Sequence, residues 1–205
     1  MDPINLINSA LFTTFLLLGI PYVWWYGTAR GSCTFFVWVG LKKVSTVRDR
    51  GFVIPFVLTL IYVGIFYMFL GNYIMYQMFP EAFGVRVSSP DGLSAWMRVW
   101  IWIIRPLFLT GFLEEVGFRG VIGKRLISRY GFVVGNTAQA VMFGLVHNFM
   151  GLGMIGAAFY FISLVFFGWV AGYITEKKAG GSIVPAVVLH AVASLPINWP
   201  MGIVW

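Results

Sequence analysis

The sequence has very few charged side chains. Only 10% of its 205 residues are Asp, Glu, Lys or Arg, whereas 60% are hydrophobic. A water-soluble domain carries about 25% charged residues, so this chain lacks the polar surface that a soluble fold requires. The composition therefore predicts an integral membrane protein, and its length favours a single transmembrane domain over residues 1–205.

Acids, cysteine and histidine are all scarce. The chain contains seven acidic residues, two histidines and the single cysteine Cys33, which excludes an internal disulfide. Its net charge of +7 comes from basic residues in the gaps between apolar runs. That distribution is typical of membrane topology signals and argues against nucleic-acid binding. The first ten residues, MDPINLINSA, contain no basic residue, so we expect the first apolar run to be retained as a span.

Six apolar runs are candidates for crossing a bilayer, which takes about 20 mainly apolar residues. They cover residues 6–26, 52–79, 96–120, 136–150 with a short extension, 154–174 and 183–205. The predicted fold is therefore an all-α, polytopic membrane bundle of about six transmembrane helices.

The connections between these runs differ in charge. The first, third and fifth connections are basic, the second is mixed and the fourth carries no charge. Because positive loops stay in the cytoplasm, both termini are predicted on the non-cytoplasmic side. We expect a multi-pass protein of the cell membrane. The stretch CTFFVWVGLKK in the first connection is too short to span, so we expect it to lie in the membrane interface.

Proline and glycine add local expectations. Pro106 predicts a kink in the third span, and Pro185 fits the first turn of the last helix. Two prolines beyond Leu195 predict that this helix breaks or kinks there. Gly168 and Gly172 form a small-residue face, which favours close helix packing.

The stretch FLEEVGFRG places charges inside the third span. An ionisable group at such a position costs at least about 2.5 kcal/mol, so it requires a partner or a function. Glu115 and Arg119 are four residues apart and lie on one helix face, which predicts an ion pair. Glu114 points about 100° away around the helix and is the available carboxylate. The alternative is a purely structural glutamate–arginine lock between helices.

Both histidines also fall within predicted spans. At about 1.5 Å per residue, Glu114 lies about 15 Å, His147 about 16 Å and His190 about 12 Å from the cytoplasmic ends of their helices. The value for His147 takes the fourth helix to begin at Asn136, because the sequence NTAQ is typical of a helix start. The shared depth predicts one site on three helices that opens towards the cytoplasmic side.

Each histidine has a companion on the same helix face. Phe143 lies four residues before His147, and its expected role is to pack against the imidazole. Ser194 lies four residues after His190 and is either a small packing residue or a hydroxyl donor beside the ring.

Three short motifs together resemble a known family. Its signatures Glu-Glu-x-x-x-Arg, Phe-x-x-x-His and His-x-x-x-Asn correspond here to residues 114–119, 143–147 and 190–194. The sequence resembles the CPBP intramembrane proteases, which include CaaX prenyl proteases and bacteriocin-processing (Abi-type) enzymes. The resemblance covers residues 109–194 and implies a catalytic core at 96–205, preceded by N-terminal spans and the interfacial segment at 1–95. Ser194 stands where the family has asparagine, and Gly117 replaces a bulkier apolar residue.

The resemblance implies hydrolysis of a peptide bond within the membrane. Glu114, helped by His147, would activate a water molecule, and His190, with Ser194, would stabilise the oxyanion. The Glu115–Arg119 pair would hold the helix and tune the field. The expected partners are the lipid bilayer and a membrane-associated or leader-type peptide substrate.

Two alternatives remain open at the level of the sequence. No cofactor is expected, but Glu114, His147 and His190 also form the His₂Glu ligand set of a catalytic zinc. A catalytically weak or inactive scaffold or sensor could retain the same pocket, and Ser194 is the residue that suggests it. The sequence does not identify the substrate, its cleavage site or the oligomeric state.

Overall fold

A computed structural model describes residues 3–44, 49–65, 94, 96, 99–147 and 153–194. This part of the chain is helical and contains no β-strand, which confirms the all-α prediction. The helices, in chain order, are α1 (Pro3–Thr14), π1 (Phe15–Gly19), α2 (Ile20–Thr28), α3 (Phe35–Val39), α4 (Arg50–Ile65), π2 (Trp100–Glu114), π3 (Val116–Gly123), α5 (Lys124–Tyr130), α6 (Phe132–Leu145), α7 (Gly153–Tyr173), π4 (Ile174–Lys178) and α8 (Val184–Ser194).

Within the described residues, two helical stretches are long and apolar enough to cross a membrane. They are Asn8–Thr28, which joins α1, π1 and α2, and Gly153–Lys178, which joins α7 and π4. Helices α4, α6 and α8 are apolar but shorter. The six-span arrangement and the side of each terminus remain predictions. The end of the second predicted span and all residues beyond Ser194, with their two prolines, lie outside the described residues.

The third predicted span is helical through its proline. Pro106 lies inside π2, and Thr110 Oγ1 donates a hydrogen bond of 2.6 Å to the Pro106 carbonyl. Proline removes one backbone donor, and wide π-type turns are one way in which a helix accommodates such an interruption. At the other end of the chain, Pro185 occupies the first turn of α8, as predicted.

Helix α6 begins earlier than the sequence predicts. It starts at Phe132, directly after Gly131 at φ 78°, so Asn136 is not an N-cap. Asn136 is buried instead and donates 2.9 Å to the Trp169 carbonyl of α7, while Gln139 donates 2.9 Å to that of Gly168. Asn136 and Gln139 thus bind α6 to α7 and do not cap the start of α6. His147 is consequently fifteen residues from the helix start, or about 22 Å.

Helices α6 and α7 pack closely through their small residues. A Cβ atom added to Gly168 would lie 3.2 Å from Ala140 Cα, and one added to Gly172 would collide with the Asn136 side chain. The predicted small-residue face therefore packs against a neighbouring helix.

The first, third and fifth connections meet at one end of the bundle. Ser182 Oγ donates 2.6 Å to the Lys42 carbonyl, and Lys124 Nζ donates 2.8 Å to the Gly181 carbonyl. Lys124 also forms a 3.1 Å ion pair with Glu176. We call these five residues the basic end. The predicted interfacial segment contributes the short helix α3 beside it.

Candidate active site

A cavity of about 460 Å³ lies between α1, π1, π2, π3, α6, α7 and α8. Glu114, His147, His190 and Ser194 all line it, together with mainly apolar and aromatic side chains. The structure thus brings together the carboxylate and the two imidazoles that the sequence places on separate helices.

A glycine allows the two helices that carry Glu114 and His190 to approach each other. A Cβ atom added to Gly111 of π2 would lie 3.0 Å from Cα, N and Cβ of Ala191 in α8. Ala191 directly follows His190, and Glu114 follows Gly111 by three residues. This close backbone contact allows His190 Nε2 to lie 3.8 Å from Glu114 Oε2.

Glu115 joins two cationic or proton-bearing groups behind the cavity. Its Oε1 atom accepts a 2.7 Å hydrogen bond from Arg119 Nη1, which confirms the predicted ion pair. The same oxygen lies 2.7 Å from His190 Nδ1. Glu115 is 0% exposed and Arg119 2% exposed. Because a carboxylate accepts, His190 Nδ1 carries the proton, and Nε2 is left to face the cavity.

Phe143 is fully buried at the centre of the site. Its ring centroid lies 4.3 Å from Arg119 Cζ, 4.8 Å from the ring of His147 and 5.6 Å from the ring of His190. Its backbone carbonyl accepts a 2.7 Å hydrogen bond from His147 Nδ1. A carbonyl cannot donate, so Nδ1 carries the proton, and Nε2 is the acceptor nitrogen of the neutral ring. Phe143 therefore packs against both histidines, and its carbonyl sets the tautomer of His147.

Glu114 differs from Glu115 in its surroundings. Its side chain is 19% exposed, and Oε2 has no hydrogen-bond partner among the described residues. Ser194 is buried, ends α8 and lines the same cavity. The arrangement can hold a small polar molecule between the Glu114 carboxylate, two imidazole Nε2 atoms and a hydroxyl.

The cavity also contains side chains that sequence reasoning did not select. Arg105, Thr110 and Tyr160 line it, as does Leu17 of π1. Arg105 could have been noticed as a charge within an apolar run, whereas nothing local distinguishes Tyr160. A Cβ atom added to Gly117 would lie 2.7 Å from Leu17 Cδ2. The glycine that departs from the family pattern therefore makes room for the first helix in the cavity wall.

The described residues do not form an evident metal centre. No group of three or more His, Cys, Asp or Glu side chains in this part of the chain is placed to hold a metal ion. The Nδ1 atoms of His147 and His190 are both engaged, which leaves their Nε2 atoms as the nitrogens that could bind a ligand. The zinc alternative with Glu114, His147 and His190 therefore stays a prediction.

Comparison with known proteins identifies the family. The sequence model of the type II CAAX prenyl endopeptidase Rce1-like family matches residues 96–195, about half of the chain. No curated protein and no solved structure matches the chain. All three motifs and every residue discussed above from Arg105 to Ser194 fall within the matched segment. Residues 96–195 therefore belong to the Rce1-like branch of the CPBP family, whose members are membrane-integral proteases.

Proposed function

We propose that this protein is a multi-pass intramembrane endopeptidase that cleaves a membrane-associated or leader-type peptide with a water molecule activated by glutamate and histidine. The main support is the meeting of Glu114, His147 and His190 around one cavity. These residues come from three helices within a segment that a protease family model matches.

Glu114 and His147 are suited to activating the water. The Glu114 Oε2 atom, which has no hydrogen-bond partner among the described residues, takes one proton from the water as the water oxygen attacks the scissile carbonyl carbon. His147 accepts the other water hydrogen at Nε2 as a hydrogen bond, because its Nδ1 is held by the Phe143 carbonyl. Such positioned proton transfer contributes about 10²–10⁴-fold to a rate.

His190 and Ser194 are suited to stabilising the tetrahedral intermediate. With a proton on both ring nitrogens, His190 would donate a hydrogen bond from Nε2 to the oxyanion. The Ser194 hydroxyl would donate a second hydrogen bond to it. The Glu115 carboxylate, 2.7 Å from His190 Nδ1, orients the ring and balances positive charge on it. When the C–N bond breaks, Glu114 returns its proton to the leaving nitrogen. The products are a new carboxylate and a new amine.

The position of the cavity bears on how substrate enters. Lys124 of the basic end follows Glu114 by ten residues. Arg105 and Thr110, which line the cavity, precede Glu114 and therefore lie on the side of it that faces away from the basic end. Ser194 likewise lies beyond His190 as seen from the basic end. If the basic end is cytoplasmic, the cavity extends from the level of Glu114 and His190 towards the non-cytoplasmic leaflet. We therefore favour entry from within the membrane over the cytoplasmic opening suggested by helix depth.

The test compares wild type with Glu114→Gln, a near-isosteric change, at matched membrane abundance. The peptide termini found in membrane and secreted fractions should differ between the two proteins. A peptide identified by such a difference should be cleaved at least about 100-fold more slowly by Glu114→Gln than by wild type in reconstituted vesicles. Glu176→Gln, at the basic end, is the matched control and should cleave normally. Addition of a chelator to wild type tests the zinc alternative directly. Identical termini and unchanged cleavage in Glu114→Gln would refute the proposal and favour an inactive scaffold.

A further inference from the structure

Two lysines of the basic end meet at Gly181. A Cβ atom added to Gly181 would lie 3.1 Å from Lys124 Nζ and 3.6 Å from Lys42 Nζ, so both ammonium groups lie beside one point. Glu176 Oε2 would lie 3.9 Å from the same atom, and Glu176 Oε1 pairs with Lys124. Lys42 is exposed and forms no ion pair in the described part of the chain. Two cations this close repel each other, and the single carboxylate compensates only one of them.

The backbone around Gly181 fixes the position of this lysine pair. Gly40 has φ 86° and Gly181 has φ 78°, a conformation that glycine adopts without strain. A Cβ atom added to Gly40 would lie 2.6 Å from the Gly181 carbonyl oxygen and 2.7 Å from Lys124 Cε. The Ile183 backbone N–H also donates a 2.9 Å hydrogen bond to the Gly40 carbonyl. The first, third and fifth connections are therefore locked together where the two ammonium groups meet.

The sequence around the lysine pair has a large excess of positive charge. The first, third and fifth connections together contain ten Lys or Arg residues and two acidic residues. Basic clusters beside membrane helices attract the headgroups of anionic lipids. The excess therefore favours an anion as the ligand that completes the charge balance at Gly181.

Apolar and aromatic side chains lie next to the lysine pair. Helix α3, which ends at Gly40, leaves Phe36 57% and Val37 50% exposed. In the same helix, the Trp38 ring lies 3.6 Å from the guanidinium carbon of Arg125. Tryptophan rings and short apolar helices are typical of the membrane interface. A ligand at this place meets cations on one side and apolar surface on the other, which fits a phospholipid better than a free anion.

We propose that Lys42 and Lys124 bind the phosphodiester of an anionic phospholipid in the leaflet beside the basic end, with its acyl chains against α3. A phosphodiester carries one negative charge, which balances the charge that Glu176 leaves uncompensated. Bound lipid would tie the first connection to the third and the fifth, so it stabilises the folded protein. Lipid binding at this site does not require catalysis.

The test measures binding of short-chain phosphatidylglycerol to the full-length protein in neutral detergent by native mass spectrometry. Phosphatidylcholine of the same chain length is the comparison, because its choline cation would be repelled by the lysines. Phosphatidylglycerol should bind as one tightly held molecule and raise the unfolding temperature, whereas phosphatidylcholine should do neither. Lys42→Gln should weaken phosphatidylglycerol binding about 10-fold, the loss expected for one charge-assisted hydrogen bond, and Lys42→Arg should retain most of it.

Lys177→Gln is the matched control. Lys177 is an exposed lysine of the fifth connection, but its Nζ lies 4.7 Å from the centre of the Phe132 ring instead of at Gly181. This variant should bind phosphatidylglycerol as wild type does. An equal loss in Lys42→Gln and Lys177→Gln would show diffuse attraction to the whole basic surface and would overturn the proposal. Equal binding of the two lipids would overturn it as well, and so would displacement of phosphatidylglycerol by an equal concentration of inorganic phosphate, which would assign the lysines to a free anion.

Discussion

His190 Nδ1 and Glu115 Oε1 lie 2.7 Å apart, although 75 residues separate them in the chain. The same carboxylate oxygen accepts from Arg119, so one buried acid links the arginine of its own helix to the histidine of another. This relationship gives the two adjacent glutamates different tasks. Glu115 positions a histidine from behind, while Glu114 faces the cavity in front of it.

Replacement of Glu115 by glutamine should lower kcat about 10–100-fold and leave KM near the wild-type value. The amide loses the charge that orients His190 and balances Arg119, and changes to such supporting groups have effects of this size. Steady-state kinetics and thermal unfolding in detergent should be measured on the same preparations. Glu115→Asp, which keeps the charge, should recover more of kcat than of thermal stability. A glutamine variant with wild-type kcat would show that the contact is only structural.

Ser194 should limit the rate because one hydroxyl replaces the amide of the family pattern. We expect Ser194→Ala to lower kcat about 100-fold, the usual loss for one oxyanion donor, and Ser194→Asn to equal or exceed wild type. Ser128→Asn, at an exposed position of α5, is a matched control for the introduction of an amide. If alanine and asparagine at position 194 both cleave at the wild-type rate, the hydroxyl has no part in the reaction.

Gly111→Val should disrupt the site without adding or removing a charge. The valine side chain would clash with the backbone of Ala191, because even a Cβ atom at this position would lie 3.0 Å from it. Overpacking of this kind costs about 1–3 kcal/mol and would move His190 away from Glu114. Gly64→Val provides the control, because a Cβ atom there meets nothing within 4 Å in the part of the chain that the structure describes. We expect loss of cleavage and a lower unfolding temperature for the first variant only; equal behaviour of the two would contradict the packing argument.

Cys33 provides a direct test of orientation. It is the single cysteine of the chain, is partly exposed, and belongs to the first connection, predicted to be cytoplasmic. A membrane-impermeant maleimide should therefore label inverted membrane vesicles and leave intact cells unlabelled. The double change Cys33→Ser and Ser94→Cys moves the thiol to the second connection and should reverse the pattern. Labelling of Cys33 from outside intact cells would invert the predicted topology.

Local patterns were sufficient for several features of this protein. The Glu115–Arg119 ion pair follows from a spacing of four residues on a helix. The place of Pro185 in the first turn of α8 follows because a first helical turn tolerates proline. The start of α6 shows the limit of such patterns. The sequence NTAQ has the residues of a cap, but its amides satisfy carbonyls of α7 instead, and a sequence does not show which of two partners a buried amide will find.

By itself the sequence determined that the chain is apolar and helical, and that three of its helical segments each contribute an ionisable group to a known set of motifs. Only the tertiary structure decided that His190 binds Glu115, that Leu17 closes the cavity beside Gly117, and that Arg105 shares this cavity with Glu114. Periodicity along a helix follows from backbone geometry that every sequence shares. Contacts between distant helices depend on how glycines and side-chain volumes fit together across the whole bundle.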